Sequence, residues 1–178
     1  MQYKNTETRF GVVSIFLHWL MTILMIGLLL LGLYMTRIPI SLLKLKLYGL
    51  HKEVGILILV LAIIRIIWRF TNAVPHLTMP RWEVIVAKAA HFAFYAFMLI
   101  LPVTGWIMSS AAGLQVSLFG WFELPDFVGP SEHLQAIMIE VHKWLAYCLI
   151  AAICVHVVAA LKHHFINNDT VLRRMLWP

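Results

Sequence analysis

Residues 141–156 read VHKWLAYCLIAAICVH, an apolar run with a histidine near each end. At about 100° per residue, the fourteen steps from His142 to His156 return the side chain to within about 40° of its starting face, after a rise of ~21 Å. The hydrocarbon layer of a bilayer is ~30 Å thick. Two imidazoles would thus project from one face of one helix, near opposite sides of a membrane. An ionisable side chain inside a span is costly and marks a functional position. The reading is of two sites stacked along the membrane normal.

Composition agrees. Of 178 residues, 62% are hydrophobic and 12% are charged, half the charged fraction of about 25% usual in soluble domains. Cys148 and Cys154 both lie in the last apolar run, which excludes a disulfide framework. No signal peptide is expected, because the first apolar run is span-length and has no small-residue cleavage pattern. The formal charge of +6 does not point to nucleic acid, since the basic residues gather at span ends, as membrane topology requires.

Four runs are long enough to span, at about residues 11–35, 50–70, 84–108 and 136–161. Each is apolar all round rather than striped, as suits a lipid-embedded helix. The expected fold is an all-α integral membrane four-helix bundle, a single domain over residues 1–178. The long connection 109–135 is aromatic and rich in Gly and Pro, and is expected to lie along the interface. Eight Lys and Arg (Lys4, Arg9, Arg69, Arg81, Lys88, Lys162, Arg173, Arg174) fall on the side of the termini. Five (Arg37, Lys44, Lys46, Lys52, Lys143) fall on the other. This bias places both termini in the cytoplasm.

Depth then sorts the histidines. His51 and His142 lie at the outer level, and His18 and His156 at the inner one. Facing histidines on neighbouring helices offer the two axial nitrogens that a haem iron needs. A lone membrane histidine often serves only as hydrogen-bonded helix–helix glue. Two pairs matched in depth favour ligation instead. His91 shares the inner depth and is the rival ligand. His76 and His133 fall in connections and carry no such reading.

With those residues in place, the chain resembles the bacterial cytochrome b561 family of di-haem four-helix membrane cytochromes. The resemblance runs through FLHWL (16–20), LHKEVGILILVLAIIRIIWR (50–69), AAHFAFYAFMLILPVTGW (89–106), EVHKWLAYCLIAAICVH (140–156) and ALKHHFINNDTVLRRM (160–175). It is similar also to the cytochrome b subunits of membrane hydrogenases and formate dehydrogenases. The resemblance implies two haem b groups in the bacterial inner membrane. His18 and His156 would hold the inner haem and His51 and His142 the outer one, which leaves His91 aside. Two imidazoles saturate an iron, so such a site passes single electrons rather than activating a bound ligand.

Other side chains carry two readings each. Arg65, deep in an apolar run, either pairs with a haem propionate or snorkels to the interface. Lys52 and Lys143, each beside an outer histidine, serve outer propionates or anchor at the interface. Gly27, Gly32, Gly55 and Gly105 either clear space for a macrocycle or allow close helix packing. Lys162, His163 and His164 follow the inner pair. The resemblance points to a site there for ubiquinone or another quinone, with His163 as donor and proton carrier. The alternative is a basic membrane anchor.

The resulting function is transmembrane electron transfer between a periplasmic donor and the quinone pool. Superoxide is a candidate donor, because some family members oxidise it. No catalytic residue is assigned. The alternative is an electron-conducting cytochrome b subunit, or partner of a periplasmic redox protein, without a substrate of its own. Metal transport is disfavoured, since Glu53 and Glu140 are the only carboxylates near the spans' histidines.

Overall fold

The computed structural model describes residues 2–76 and 79–177. Four helices dominate it: α1 (Val12–Arg37), α2 (Leu42–Thr71), α3 (Arg81–Ala111) and α4 (Glu132–Phe165). At 1.5 Å per residue, even the 26 residues of α1 run about 39 Å, beyond the ~30 Å of hydrocarbon. All four are long and apolar enough to cross a membrane. Helices suit that solvent because they satisfy their own backbone hydrogen bonds.

The helices extend past the apolar runs. α2 starts at Leu42, eight residues before Leu50, capped by Ser41, whose hydroxyl accepts from Lys44 N at 3.2 Å. Ser131 caps α4 in the same way through Leu134 N, at 3.3 Å. Both are side-chain N-caps at a polar boundary, which hydropathy does not register. His133 consequently sits in the first turn of α4 rather than in a connection.

Between α3 and α4 the chain forms an antiparallel hairpin, β1 (Val116–Leu118) with β2 (Phe122–Leu124), in the register Val116 to Leu124. Its turn, with Trp121 N donating to Leu118 O at 3.0 Å, has positive φ at both central residues, Phe119 (52°) and Gly120 (72°). Three residues, 119–121, thus join the strands, and positive φ at the turn's centre suits the right-handed twist of the flanking strands. Val116 is buried to 1% exposure and ties the hairpin down beside α2.

Met21, Ile58, Ala62 and Met98 form the core among α1, α2 and α3. The fourth helix stands differently. It packs along α3, while its backbone approaches α1 and α2 at few points. Leu149 is its one buried residue.

With four spans, both termini lie at one end, opposite the hairpin. There the N-terminal segment, the α2–α3 connection and the C-terminal tail are hydrogen-bonded into a cap. Asn5 Nδ2 donates to Ala73 O (2.9 Å), His76 N to Glu7 O (2.8 Å) and Arg174 Nη1 to His76 O (2.9 Å). Trp19 Nε1 donates to Met175 O at 2.7 Å, fastening the tail to α1.

Candidate functional site

Two histidine pairs reach across the space between α4 and its distant neighbours. At the hairpin end, His51 of α2 faces His142 of α4 with ring centroids 6.3 Å apart. At the terminal end, His18 of α1 faces His156 of α4 at 6.4 Å. Two imidazoles bound through nitrogen to opposite faces of one iron, with bonds of about 2 Å, place their centroids about 6.2 Å apart. Both pairs have that spacing.

His91 of α3 also lies 6.4 Å from His156, so distance does not separate it from His18. α3 packs closely on α4, whereas the backbones of α1 and α4 approach at few points. Among the described residues, no three His, Cys, Asp or Glu side chains converge to hold a single metal ion.

Local chemistry at the hairpin-end pair fits haem. Thr104 of α3 donates its hydroxyl proton to Leu101 O at 2.8 Å and lies 3.0 Å from His142 Nδ1. Having one proton, the hydroxyl can only accept from His142. Nδ1 therefore carries the hydrogen, and Nε2 keeps its lone pair. His51 Nδ1 is buried without a hydrogen-bond partner among the described residues. A Cβ added at Gly105 would lie 3.3 Å from His142 Cε1, and one at Gly32 would lie 3.4 Å from His51 Cε1. Both glycines thus back onto histidine rings, whereas a Cβ at Gly27 or Gly55 would meet nothing within 4 Å.

At the other pair, Arg65 turns inward. Its Nη2 is 3.4 Å from His18 Nδ1, and its Nε is 3.4 Å from Tyr95 Oη. Of the two lysines, Lys52 donates to Ser109 Oγ (3.1 Å) and lies 3.4 Å from Gln115 O, clamping α2 to the end of α3 and the hairpin. Lys143 instead pairs with Glu140 on its own helix, at 2.6 Å.

His163 belongs to a separate cluster. Its Nδ1 is 2.5 Å from Asp169 Oδ2, its Nε2 is 3.9 Å from Glu83 Oε2, and its side chain is 12% exposed. Lys162 pairs with Glu83 at 2.9 Å. Sequence reasoning missed Glu83, Tyr95, Thr104 and Asp169 as partners. Asp169 lay in the tail segment 160–175 without a role, and Thr104 left only a hydroxyl two residues after Pro102 in an apolar run.

The profile of a family described as prokaryotic cytochrome b561 matches residues 9–178. The chain is 34% identical to cytochrome b561 homolog 2 of Escherichia coli over 180 residues, covering 99% of this chain and 95% of that protein. It is 33% identical to cytochrome b561 homolog 1 of the same organism over 131 residues, 71% of this chain and 72% of the relative. The probable superoxide oxidase CybB of Yersinia pestis is 29% identical over 129 residues, 71% of this chain and 73% of that one. Four membrane-length helices and this near-complete match agree: the chain belongs to the prokaryotic cytochrome b561 family, as a haem b-binding electron-transfer protein that crosses the bacterial inner membrane several times.

Proposed function

We propose that the protein holds two haem b groups, one between His18 and His156 and one between His51 and His142, and conducts electrons between the two faces of the membrane. The observation that carries this is the pair of facing histidines, at 6.4 and 6.3 Å, repeated along α4. When bound, bis-imidazole haem supplies one-electron transfer without an open iron position. Thr104 holds the tautomer of His142 in which Nε2 is free. Arg65, beside His18, would hold a haem at this pair by pairing with an acidic group, and a propionate carboxylate would be the fitting one.

The excess of Lys and Arg at the terminal end puts that end in the cytoplasm and the hairpin in the periplasm. A quinone binds on the cytoplasmic side, where His163, held by Asp169 and near Glu83, hands protons to its oxygens. The outer donor is superoxide. Two superoxide anions oxidised to dioxygen release two electrons, which with two protons from the inner side reduce one quinone to quinol. The name of the Yersinia relative supports this donor, and Arg37, Lys44, Lys46 and Lys52 supply cations that attract an anion. The test is stopped-flow superoxide decay with purified protein and a water-soluble ubiquinone. The expected result is decay faster than spontaneous dismutation, with one quinol formed per two superoxide anions consumed. No acceleration would refute the superoxide reading.

A second reading has one observation in its favour. Trp121 (94% exposed) and Phe122 stand out from the hairpin, as aromatic anchors for a periplasmic redox protein would. A stoichiometric partner retained in mild detergent, and lost on Trp121→Ser, would select it.

A further inference from the structure

A cleft of about 490 Å³ opens at the end of the molecule that carries both termini, lined by Thr8, Arg9, Thr170, Arg173, Arg174 and Trp177. Its three arginines come from opposite ends of the chain. Arg9 lies three residues before the start of α1, while Arg173 and Arg174 lie in a 3-10 turn of the tail. Two fixed features hold the cleft in shape. Trp19 anchors the tail at Met175 O. Arg174 is itself braced, its Nε on Thr170 Oγ1 at 3.0 Å and its Nη1 on His76 O at 2.9 Å.

None of the three guanidinium groups forms an ion pair among the described residues. Among the described residues, Asp169 is the carboxylate near Arg174, and its oxygens already accept from His163 and from Val171 N. Three like charges brought into one cleft repel each other unless an anion sits among them. Guanidinium forks with adjacent hydroxyls are matched to the oxygens of a phosphate. The volume lies in the range of small-ligand sites.

The surroundings indicate which phosphate. Trp177, 77% exposed, lines the cleft, and Leu176 next to it and Phe165 and Ile166 at the end of α4 are exposed as well. A cationic cleft lined by an exposed tryptophan, just beyond the ends of the spans, lies where lipid headgroups meet acyl chains. We propose that this cleft binds the phosphate of an anionic phospholipid and thereby locks the C-terminal tail against the bundle. The DTVLRRM segment then has a distinct use: Asp169 fixes the turn, Thr170 orients Arg174, and Arg173 and Arg174 meet the phosphate. This does not depend on how electrons enter or leave the protein.

The test uses full-length, haem-loaded protein in detergent, with phosphatidylglycerol, phosphatidylcholine and inorganic phosphate as separate probes. Binding is read by native mass spectrometry and by the shift of thermal unfolding. The expected result is one phosphatidylglycerol retained per chain, with at least tenfold weaker retention in the Arg9→Gln/Arg173→Gln variant and no comparable retention of phosphatidylcholine. An unchanged haem spectrum shows that the variant is folded. Should it not fold, Thr170→Val serves, and a several-fold weakening is expected. Saturable binding of inorganic phosphate with the same variant dependence, without lipid preference, would support the phosphate site and assign it to a soluble anion, overturning the lipid assignment. Phosphatidylglycerol retention unaffected by the substitutions, or no saturable binding of any probe, would overturn the site itself.

Discussion

Thr104 Oγ1 lies 3.0 Å from His142 Nδ1 while giving its own proton to Leu101 O. The threonine thus sets which nitrogen of the histidine carries hydrogen. Loss of such an orienting partner weakens a metal site by about 10–100-fold. Thr104→Val is therefore expected to weaken haem at the hairpin end by that factor and to leave the other haem in place. Thr104→Ser, which keeps the hydroxyl, is expected to restore it. Haem retention during dilution, followed by absorbance, measures both.

Arg65 places a cation beside His18, 3.4 Å from Nδ1. A positive charge favours the reduced, more negative state of a nearby redox centre. Removing a unit charge about 8 Å away, at an effective dielectric of about 20, is worth about 2 kcal/mol, or roughly 90 mV for one electron. Arg65→Gln should thus lower one of the two midpoint potentials by several tens of millivolts and leave the other within error. A spectroelectrochemical titration reads this directly. An equal shift of both would detach Arg65 from the His18 side.

How much of this was legible beforehand depended on the kind of signal. The four spans and the paired histidines were readable because hydropathy and a fourteen-residue spacing act along the chain. The extra turns of α2 and α4 were not, since they rest on Ser41 and Ser131 capping polar segments. The hairpin was hidden because Phe119 is a poor residue for a left-handed turn. The preference for His18 over His91 came from the resemblance, since both share a depth and both rings lie 6.4 Å from His156. The Asp169–His163–Glu83 cluster joins α3, α4 and the tail, a relation that no local pattern encodes.

Phe119 holds φ at 52°, a region unfavourable for a bulky side chain. Asparagine accepts the left-handed region far more readily. Phe119→Asn is expected to stabilise the hairpin by about 0.5–1 kcal/mol. Slower hydrogen exchange across residues 116–124 would show it, and faster exchange there would contradict it.

Asp169 gives the tail a pH dependence. Burial pushes its carboxyl pKa up, but the Val171 N–H, His163 and Arg174 more than offset this and hold it below the usual range. A depressed carboxylate pKa stabilises the fold fully above the unfolded value of about 3.9, and this is lost as pH falls through the lower folded value. The tail should therefore stay docked from neutral pH to about 4 and loosen below that. Asp169→Asn should loosen it already at neutral pH. Narrowing of the Trp177 resonance in fluorotryptophan-labelled protein reports the change.

The most direct test of the central claim is a pyridine haemochrome count on purified protein, repeated for His18→Phe, His51→Phe, His91→Phe, His142→Phe and His156→Phe. Two haem b per chain are predicted for the unaltered protein and for His91→Phe. About one is predicted for each of the other four, with a low-spin spectrum that carbon monoxide does not shift in the unaltered protein. A single haem in the unaltered protein, or loss of haem with His91→Phe but not with His18→Phe, would contradict the two-pair account.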